Sequence, residues 1–389
     1  MIAKVFKFLG TGLLFALVAL CLAIIVLPPF LDRIYYTGPV SAHFDGARFF
    51  NPDGEDTLAP PTGKSRGGFM TRWILGRNER PDWPVSVPVT QTRPAARVEG
   101  DVLRATWVGH ATVLVQTQGL NILTDPIWSE IAGPFNLAGP ARVTAPGIRF
   151  EDLPKIDLIL VSHNHYDHLD VPTLRRLWER DRPMILTSLG NDAVIDVPSK
   201  AVDWGTRISV KPGVDVVVTR NHHWGSRWGT DRNRALWSSF TITTPAGNIF
   251  FAGDTGPGDM KWPEEAARLG PVRLAILPIG AFRFAPGQMM TGSHIGPREA
   301  VDVFRGLDAG YGIPIHWGTF RLSFEAYETP PTMLDLFTAC AGYRPDIFAR
   351  RAIGQPIDIP PYAAPARGTA DAATRARCAE GSPELAALK

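Results

Sequence analysis

Residues 156–168 read Ile-Asp-Leu-Ile-Leu-Val-Ser-His-Asn-His-Tyr-Asp-His. The first six, Ile156 to Val161, form an apolar run of strand length. His163, His165, Asp167 and His168 follow at once. The segment thus reads as a buried strand that ends by delivering three imidazoles and a carboxylate into one loop. Imidazole nitrogen and carboxylate oxygen are the donors that zinc and similar borderline metals take. One tetrahedral ion cannot hold all of these together with ligands from elsewhere, so the loop suits two adjacent ions. A polar, histidine-rich surface loop is the plain alternative, and the rest of the chain decides against it.

Three further apolar runs end in the same way. Val214–Val218 leads into Thr219-Arg220-Asn221-His222-His223-Trp224. Phe250-Phe251-Ala252 leads into Gly253-Asp254-Thr255-Gly256. Ile313-Pro314-Ile315 leads into His316-Trp317-Gly318. A lone histidine at a strand end is usually a satisfied structural residue. Several at successive strand ends, beside a His-x-His-x-Asp-His loop, reverse that expectation.

These motifs resemble the metallo-β-lactamase fold superfamily. The likeness is closer still to the N-acylphosphatidylethanolamine-hydrolysing phospholipase D family. It is carried by Trp107-Val108-Gly109-His110-Ala111-Thr112, Leu123-Thr124-Asp125-Pro126, Ser162 to Asp170, Phe251 to Gly256 and Ile315 to Phe320. It covers roughly residues 45 to 350. The resemblance implies an α/β chain, an αββα sandwich of the metallo-β-lactamase type, with two zinc ions; iron or manganese would accept the same donors. By motif, His163, His165 and His223 would hold the first ion, and Asp167, His168 and His316 the second, with Asp254 bridging. His223 is preferred to His222 because the family motif places its ligand directly before Trp. Asp125 would orient a ligand imidazole, and His110 would be a supporting or structural residue. Asp167, Asp254 and His294 are the expected catalytic groups, His294 lying near the substrate phosphate.

The implied reaction is hydrolysis of N-acylphosphatidylethanolamine to N-acylethanolamine and phosphatidic acid, by attack of a metal-bridging hydroxide on phosphorus. Trp224, Trp228, Phe282, Phe284, Met289 and Met290 are candidates to line the acyl path, with ordinary core packing as the alternative. A broader envelope glycerophospholipid phosphodiesterase, or another metal-hydroxide ester or lactone hydrolase, keeps the fold and changes the chemistry. A metal-stabilised binding protein would need a closed site, which a full dinuclear donor set argues against. The expected partner is a membrane phospholipid, and a homodimer is a family expectation.

The chain has 389 residues, enough for a large core. A net charge of +2 gives no electrostatic case for nucleic acid. Short apolar strands run from Thr112 to Ile315, with helical patterns at about 171–180, 263–269 and 297–305, which suggests two sheets with helices outside. Residues 101–353 form the expected catalytic domain. Residues 31–100 read as an irregular lead-in packed on the core, with apolar islands at Phe49-Phe50 and Trp73-Ile74-Leu75. Residues 354–389 read as an extended tail.

The first thirty residues differ in kind. Lys4 and Lys7 precede an uncharged apolar stretch from Phe8 to Leu27, closed by Pro28 and Pro29. About 20 residues of helix cross the hydrocarbon core of a bilayer. The expectation is an uncleaved transmembrane anchor over 1–30, preferred to a cleaved signal peptide because no small-x-small site follows. The lysines would place the anchor in a bacterial-type inner membrane with the catalytic domain on the periplasmic or extracytoplasmic side. In that oxidising compartment a Cys340–Cys378 disulfide is expected as a hypothesis.

Overall fold

The computed structural model describes residues 2–54, 80–284 and 292–388. Trp73, Ile74, Leu75, Met289 and Met290 therefore lie outside the described residues. In chain order the strands are β1 (Leu103–Gly109), β2 (Thr112–Thr117), β3 (Leu120–Thr124), β4 (Leu158–Val161), β5 (Met184–Ser188) and β6 (Lys200–Val202). Then come β7 (Arg207–Lys211), β8 (Val214–Thr219), β9 (Ser239–Thr243), β10 (Asn248–Phe251), β11 (Val272–Pro278), β12 (Gly312–Ile315) and β13 (Pro356–Ile359). One sheet runs β13-β1-β2-β3-β4-β5-β6, the other β12-β11-β10-β9-β8-β7.

Alternation along each strand assigns its two faces. Leu158 and Leu160 of β4 join the cluster shared with Val216, Val218, Phe240 and Ile242 of the second sheet. Ile159 and Val161 face the other way, onto Leu174 and Leu177 of a helix at Val171–Asp181. Every residue of β4 is therefore buried, which is why it reads as a continuous apolar run. Each such side chain contributes about 1.5–3 kcal/mol by leaving water. A helix at Pro297–Gly306 lies against β11, and one at Thr329–Cys340 packs on that helix. Helices thus cover the outer face of both sheets, giving the αββα sandwich.

β3, β4 and β5 run parallel, as do β10, β11 and β12. Their carboxyl ends open toward one rim, where ligands gather in open parallel sheets. The segment after Gly354 enters the fold as well. β13 pairs antiparallel with β1, and two short helices follow at Ala372–Cys378 and Pro383–Ala387. Cys340 and Cys378 form a disulfide, with Cα atoms 6.4 Å apart.

The N-terminal expectation is corrected. α1 spans Ile2–Leu31, yet among the described residues no helix is long and apolar enough to cross a membrane. The physical reason lies in its first half. Lys4 and Lys7 precede the apolar run, Gly10, Thr11 and Gly12 lower its hydropathy, and the Thr11 hydroxyl donates to the Lys7 carbonyl at 2.8 Å. What remains uninterrupted, Leu13 to Leu27, is shorter than the ~20 residues a bilayer core requires. A transmembrane helix and an inner-membrane location are therefore not supported.

Candidate metal centre

Each donor loop is positioned by a strand end and a local backbone constraint. Gly253, just after β10, has φ +62°, and a Cβ there would sit 2.6 Å from Ser162 Cβ. Only glycine lets the β10 and β4 ends approach so closely. His110, Asp125 and His316 also adopt positive φ, at 51°, 29° and 65°. Non-glycine residues are held there only when their surroundings over-determine them. The His316 amide donates to the His110 carbonyl at 3.0 Å, and the His110 amide to Thr319 Oγ1 at 2.9 Å.

Four overlapping groups of donors result among the described residues, and two of them divide the site. His163, His165, His223 and Asp254 form one, and His110, Asp167, His168 and His316 the other. In the second neighbourhood, His168 Nε2 lies 3.1 Å from Asp254 Oδ2 and 3.5 Å from Asp167 Oδ2. His316 Nε2 lies 3.1 Å from Asp254 Oδ1, 3.5 Å from Asp167 Oδ2 and 3.2 Å from His168 Nε2. These spacings match the edge of a tetrahedron with bonds of ~2.0–2.1 Å to zinc, about 3.3 Å. Asp254 also reaches the first group, with Oδ2 4.0 Å from His223 Nε2.

The outer nitrogens settle which ring atoms face inward. His168 Nδ1 donates to Asp125 Oδ2 at 2.6 Å. His223 Nδ1 donates to the Ser293 carbonyl at 2.9 Å, and His316 Nδ1 to the Gly280 carbonyl at 3.3 Å. Carbonyl and carboxylate oxygens only accept, so in each ring Nδ1 keeps its hydrogen and Nε2 is the nitrogen left to bind an ion once it is unprotonated. His163 follows the same rule at one remove. Ser162 Oγ donates to Asp125 Oδ2 at 2.6 Å and so accepts from His163 Nδ1 at 2.9 Å. His165 presents Nδ1 2.7 Å from His163 Nε2. His223 Nε2 is buried without a hydrogen-bond partner. Four Nε2 atoms converging on the buried carboxylate of Asp254 and the half-buried one of Asp167 fit divalent cations.

Charge follows the same geometry. Burial opposes ionisation of Asp167 and Asp254, but the adjoining imidazoles hold both carboxyls well below the usual range. Burial likewise opposes the charged form of His316, but Asp254 and Asp167 carry it up to about 9. His168 is raised well above its usual value by Asp254 and Asp167 against the same burial. His163 and His223 are pushed well down by burial, His165 to about 3.

His110 Nε2 donates to Asp167 Oδ2 at 2.9 Å, fixing that carboxylate. His294 Nδ1 lies 3.8 Å from Asp254 Oδ2, and burial holds its imidazole down to about 3. His222, the neighbour of His223, turns away and bonds Asp53 at 3.0 Å. Of the acyl-path candidates, Trp224 packs on His165 (4.2 Å between rings) and Phe284 on His294 (5.4 Å). Trp228 walls a cavity of about 350 Å³ that also touches Tyr166 of the metal loop. Phe282 lies elsewhere, in a cavity of about 430 Å³ with Met333, Phe337 and Leu385. Sequence reasoning gave no role to Ser162 or Asn221. Asn221 Nδ2 donates to the Asp254 carbonyl at 2.9 Å and the Ala252 carbonyl at 3.0 Å. Both residues sat inside quoted motifs, which was the available signal.

A His/Asp centre at the strand ends of an αββα sandwich defines the metal-dependent hydrolases of the metallo-β-lactamase type. The family described as "Beta-lactamase superfamily domain" matches residues 120–317. A solved structure, the isothiocyanate hydrolase from Delia radicum gut bacteria, shares this fold. Its TM-score is 0.52 at 18% identity, over 65% of this chain and 98% of that one. The chain is 37% identical to "N-acyl-phosphatidylethanolamine-hydrolyzing phospholipase D 1" of Caenorhabditis elegans, over 59% of this chain and 67% of the relative. It is 33% identical to "N-acyl-phosphatidylethanolamine-hydrolyzing phospholipase D, mitochondrial" of Saccharomyces cerevisiae, over 61% of this chain and 52% of the relative. The chain belongs to the N-acylphosphatidylethanolamine-hydrolysing phospholipase D family. It is a metal-dependent hydrolase of the phospholipase D type.

Proposed function

We propose that the chain hydrolyses N-acylphosphatidylethanolamine to N-acylethanolamine and phosphatidic acid, with two zinc ions held by the two donor groups. The observation that carries this reading is the set of inward Nε2 atoms around Asp254, which reaches both groups. His163, His165 and His223 would hold one ion, Asp167, His168 and His316 the other, and Asp254 both. Bound there, such ions would neutralise phosphodiester charge and acidify water.

The chain's own residues supply the rest. Asp254 and Asp167 accept hydrogen bonds and so orient the attacking water. His110 keeps Asp167 from rotating away. His294, kept neutral by burial, suits a hydrogen bond to a phosphate oxygen better than it suits proton donation. In the overall step a water oxygen bonds phosphorus, the bond from phosphorus to the ethanolamide oxygen breaks, and a water proton ends on that oxygen. Trp224, Phe284 and the cavity beside Trp228 offer apolar surface to the lipid chains.

Product mass spectrometry tests the substrate. Zinc-loaded protein receives an equimolar, detergent-dispersed mixture of N-acylphosphatidylethanolamine, phosphatidylethanolamine and phosphatidylcholine. The reading predicts phosphatidic acid and N-acylethanolamine with the other two lipids intact. Equal cleavage of all three would replace it with a general phospholipase D. No cleavage by protein carrying two metals would remove phospholipids as substrates.

A further inference from the structure

His168 rests its outer nitrogen on a carboxylate, Asp125, whereas His316 rests on a peptide carbonyl, that of Gly280. What fixes that carbonyl decides where the His316 ring points. The peptide lies just past β11. A Cβ on Gly280 would collide with the His316 carbonyl, so only glycine lets the two backbones pack this closely. The next residue, Ala281, has φ 58°. A residue with a Cβ is uncommon in that region and stays there only when its surroundings hold it. Turning the Gly280–Ala281 peptide over would return Ala281 to a negative φ. It would also aim an N–H, and no longer a carbonyl, at His316.

Glu325 opposes that turn. It is buried, only 2% exposed, yet among the described residues it joins none of the donor groups. Its Oε1 accepts the Ala281 amide at 2.6 Å, and its Oε2 accepts the Arg283 amide at 3.2 Å. A buried carboxylate is costly unless its oxygens are satisfied, and here one turn of backbone satisfies both. The Ala281 N–H and the Gly280 carbonyl belong to the same planar trans peptide, so they point in opposite directions. Holding the N–H on Glu325 therefore aims the carbonyl at His316 Nδ1, 3.3 Å away. Hydrogen bonds in such a chain polarise one another, which makes the carbonyl a better acceptor. Glu325 is itself fixed through its backbone. Its carbonyl accepts Trp83 Nε1 at 3.0 Å, and the Phe324 amide before it donates to the Arg283 carbonyl at 2.7 Å.

We propose that Glu325 is a positioning residue that acts through the Gly280–Ala281 peptide to fix the His316 imidazole for the second metal group. This rests on the reading of His316 as a ligand. Glu325 does for His316 what Asp125 does for His168, with a peptide in between. Groups that orient a ligand in this way commonly change metal affinity ~10- to 100-fold.

The test is stepwise chelator competition for zinc on the full chain. Thermal midpoints are measured alongside, and anomalous diffraction shows which ion is left. Glu325→Met keeps the length of the side chain and removes both acceptor oxygens. It is expected to weaken the ion beside His316 ~10- to 100-fold and to leave the ion beside His163, His165 and His223 unchanged. Glu325→Gln keeps an oxygen for the Ala281 amide and is expected to retain most of the affinity. A merely structural role would weaken both ions equally, or lower the thermal midpoint with zinc affinity unchanged, and either result overturns the proposal. Equal loss in the two variants also overturns it, because the acceptor would then not matter. Should Glu325→Met not fold, Glu325→Asp draws the carboxylate back from the turn and carries the same comparison. Wild-type protein that binds no zinc beside His316 would remove the ligand reading and this proposal with it. Lipid cleavage is read in no arm, so a wrong substrate leaves the result intact.

Discussion

An imidazole can ligate through one nitrogen only if the other holds the proton. At this centre each ring's neighbours decide which. Asp125 accepts the Nδ1–H of His168 directly and, through Ser162, fixes that of His163. Asp125→Asn would offer an amide N–H where an acceptor is needed. Zinc affinity is expected to fall ~10- to 100-fold while the fold persists, as chelator titration and circular dichroism would report. Metal-free protein also holds protons where metal must go. His316, carried up to about 9, and His168, raised well above its usual value, together hold a proton at neutral pH. Nitrogens 3.2 Å apart leave room for one proton between them. Because metal takes only the unprotonated nitrogen, uptake at pH 7 releases at least one proton. Affinity then rises with pH and levels off above about 9. Calorimetry in buffers of differing ionisation enthalpy counts the proton, and a buffer-independent heat contradicts the assignment. The motifs named seven of the residues that gather in the two donor groups, and gave the eighth, His110, only a supporting or structural place. The positive φ values of His110, Asp125 and His316 were not legible, since contacts across the molecule impose them.

At the scale of elements, legibility tracked burial pattern. β4, β10 and β12 are buried throughout and stand out as apolar runs that end at a donor. The helix at Thr329–Cys340 was not anticipated. It opens on Pro330 and Pro331 and buries residues around much of its circumference, so the 3.6-residue contrast is weak. β13 and the short helices after it depend on pairing with β1 and on the disulfide, both distant in sequence. β4 carries the metal loop, and its Leu160 is wholly buried between the sheets. Leu160→Ala is expected to cost about 2–5 kcal/mol in urea unfolding. A cost under about 1 kcal/mol would mean the inter-sheet core does not hold this strand end.

For the molecule as a whole, the catalytic sandwich closes around elements that lie far from its motifs in sequence. The lead-in reaches the β8 loop through Asn51 and Asp53, and the C-terminal helices are stapled to Thr329–Cys340 by the disulfide. Its reduction frees a 38-residue separation, worth ~3–4 kcal/mol on a chain-entropy account. Urea midpoints with and without reductant check this, and coincident midpoints would contradict it. The N-terminal reading failed because hydropathy was counted across Gly10, Thr11 and Gly12, so that a shorter apolar run was taken for a full span. The central claim is that two donor groups share one carboxylate. Anomalous diffraction from zinc-loaded crystals, with metal analysis of the same protein, tests it most directly. The account predicts two zinc ions per chain, one beside His163, His165 and His223, one beside Asp167, His168 and His316, with Asp254 touching both. A single ion per chain, or two ions with Asp254 bound to neither, would contradict it.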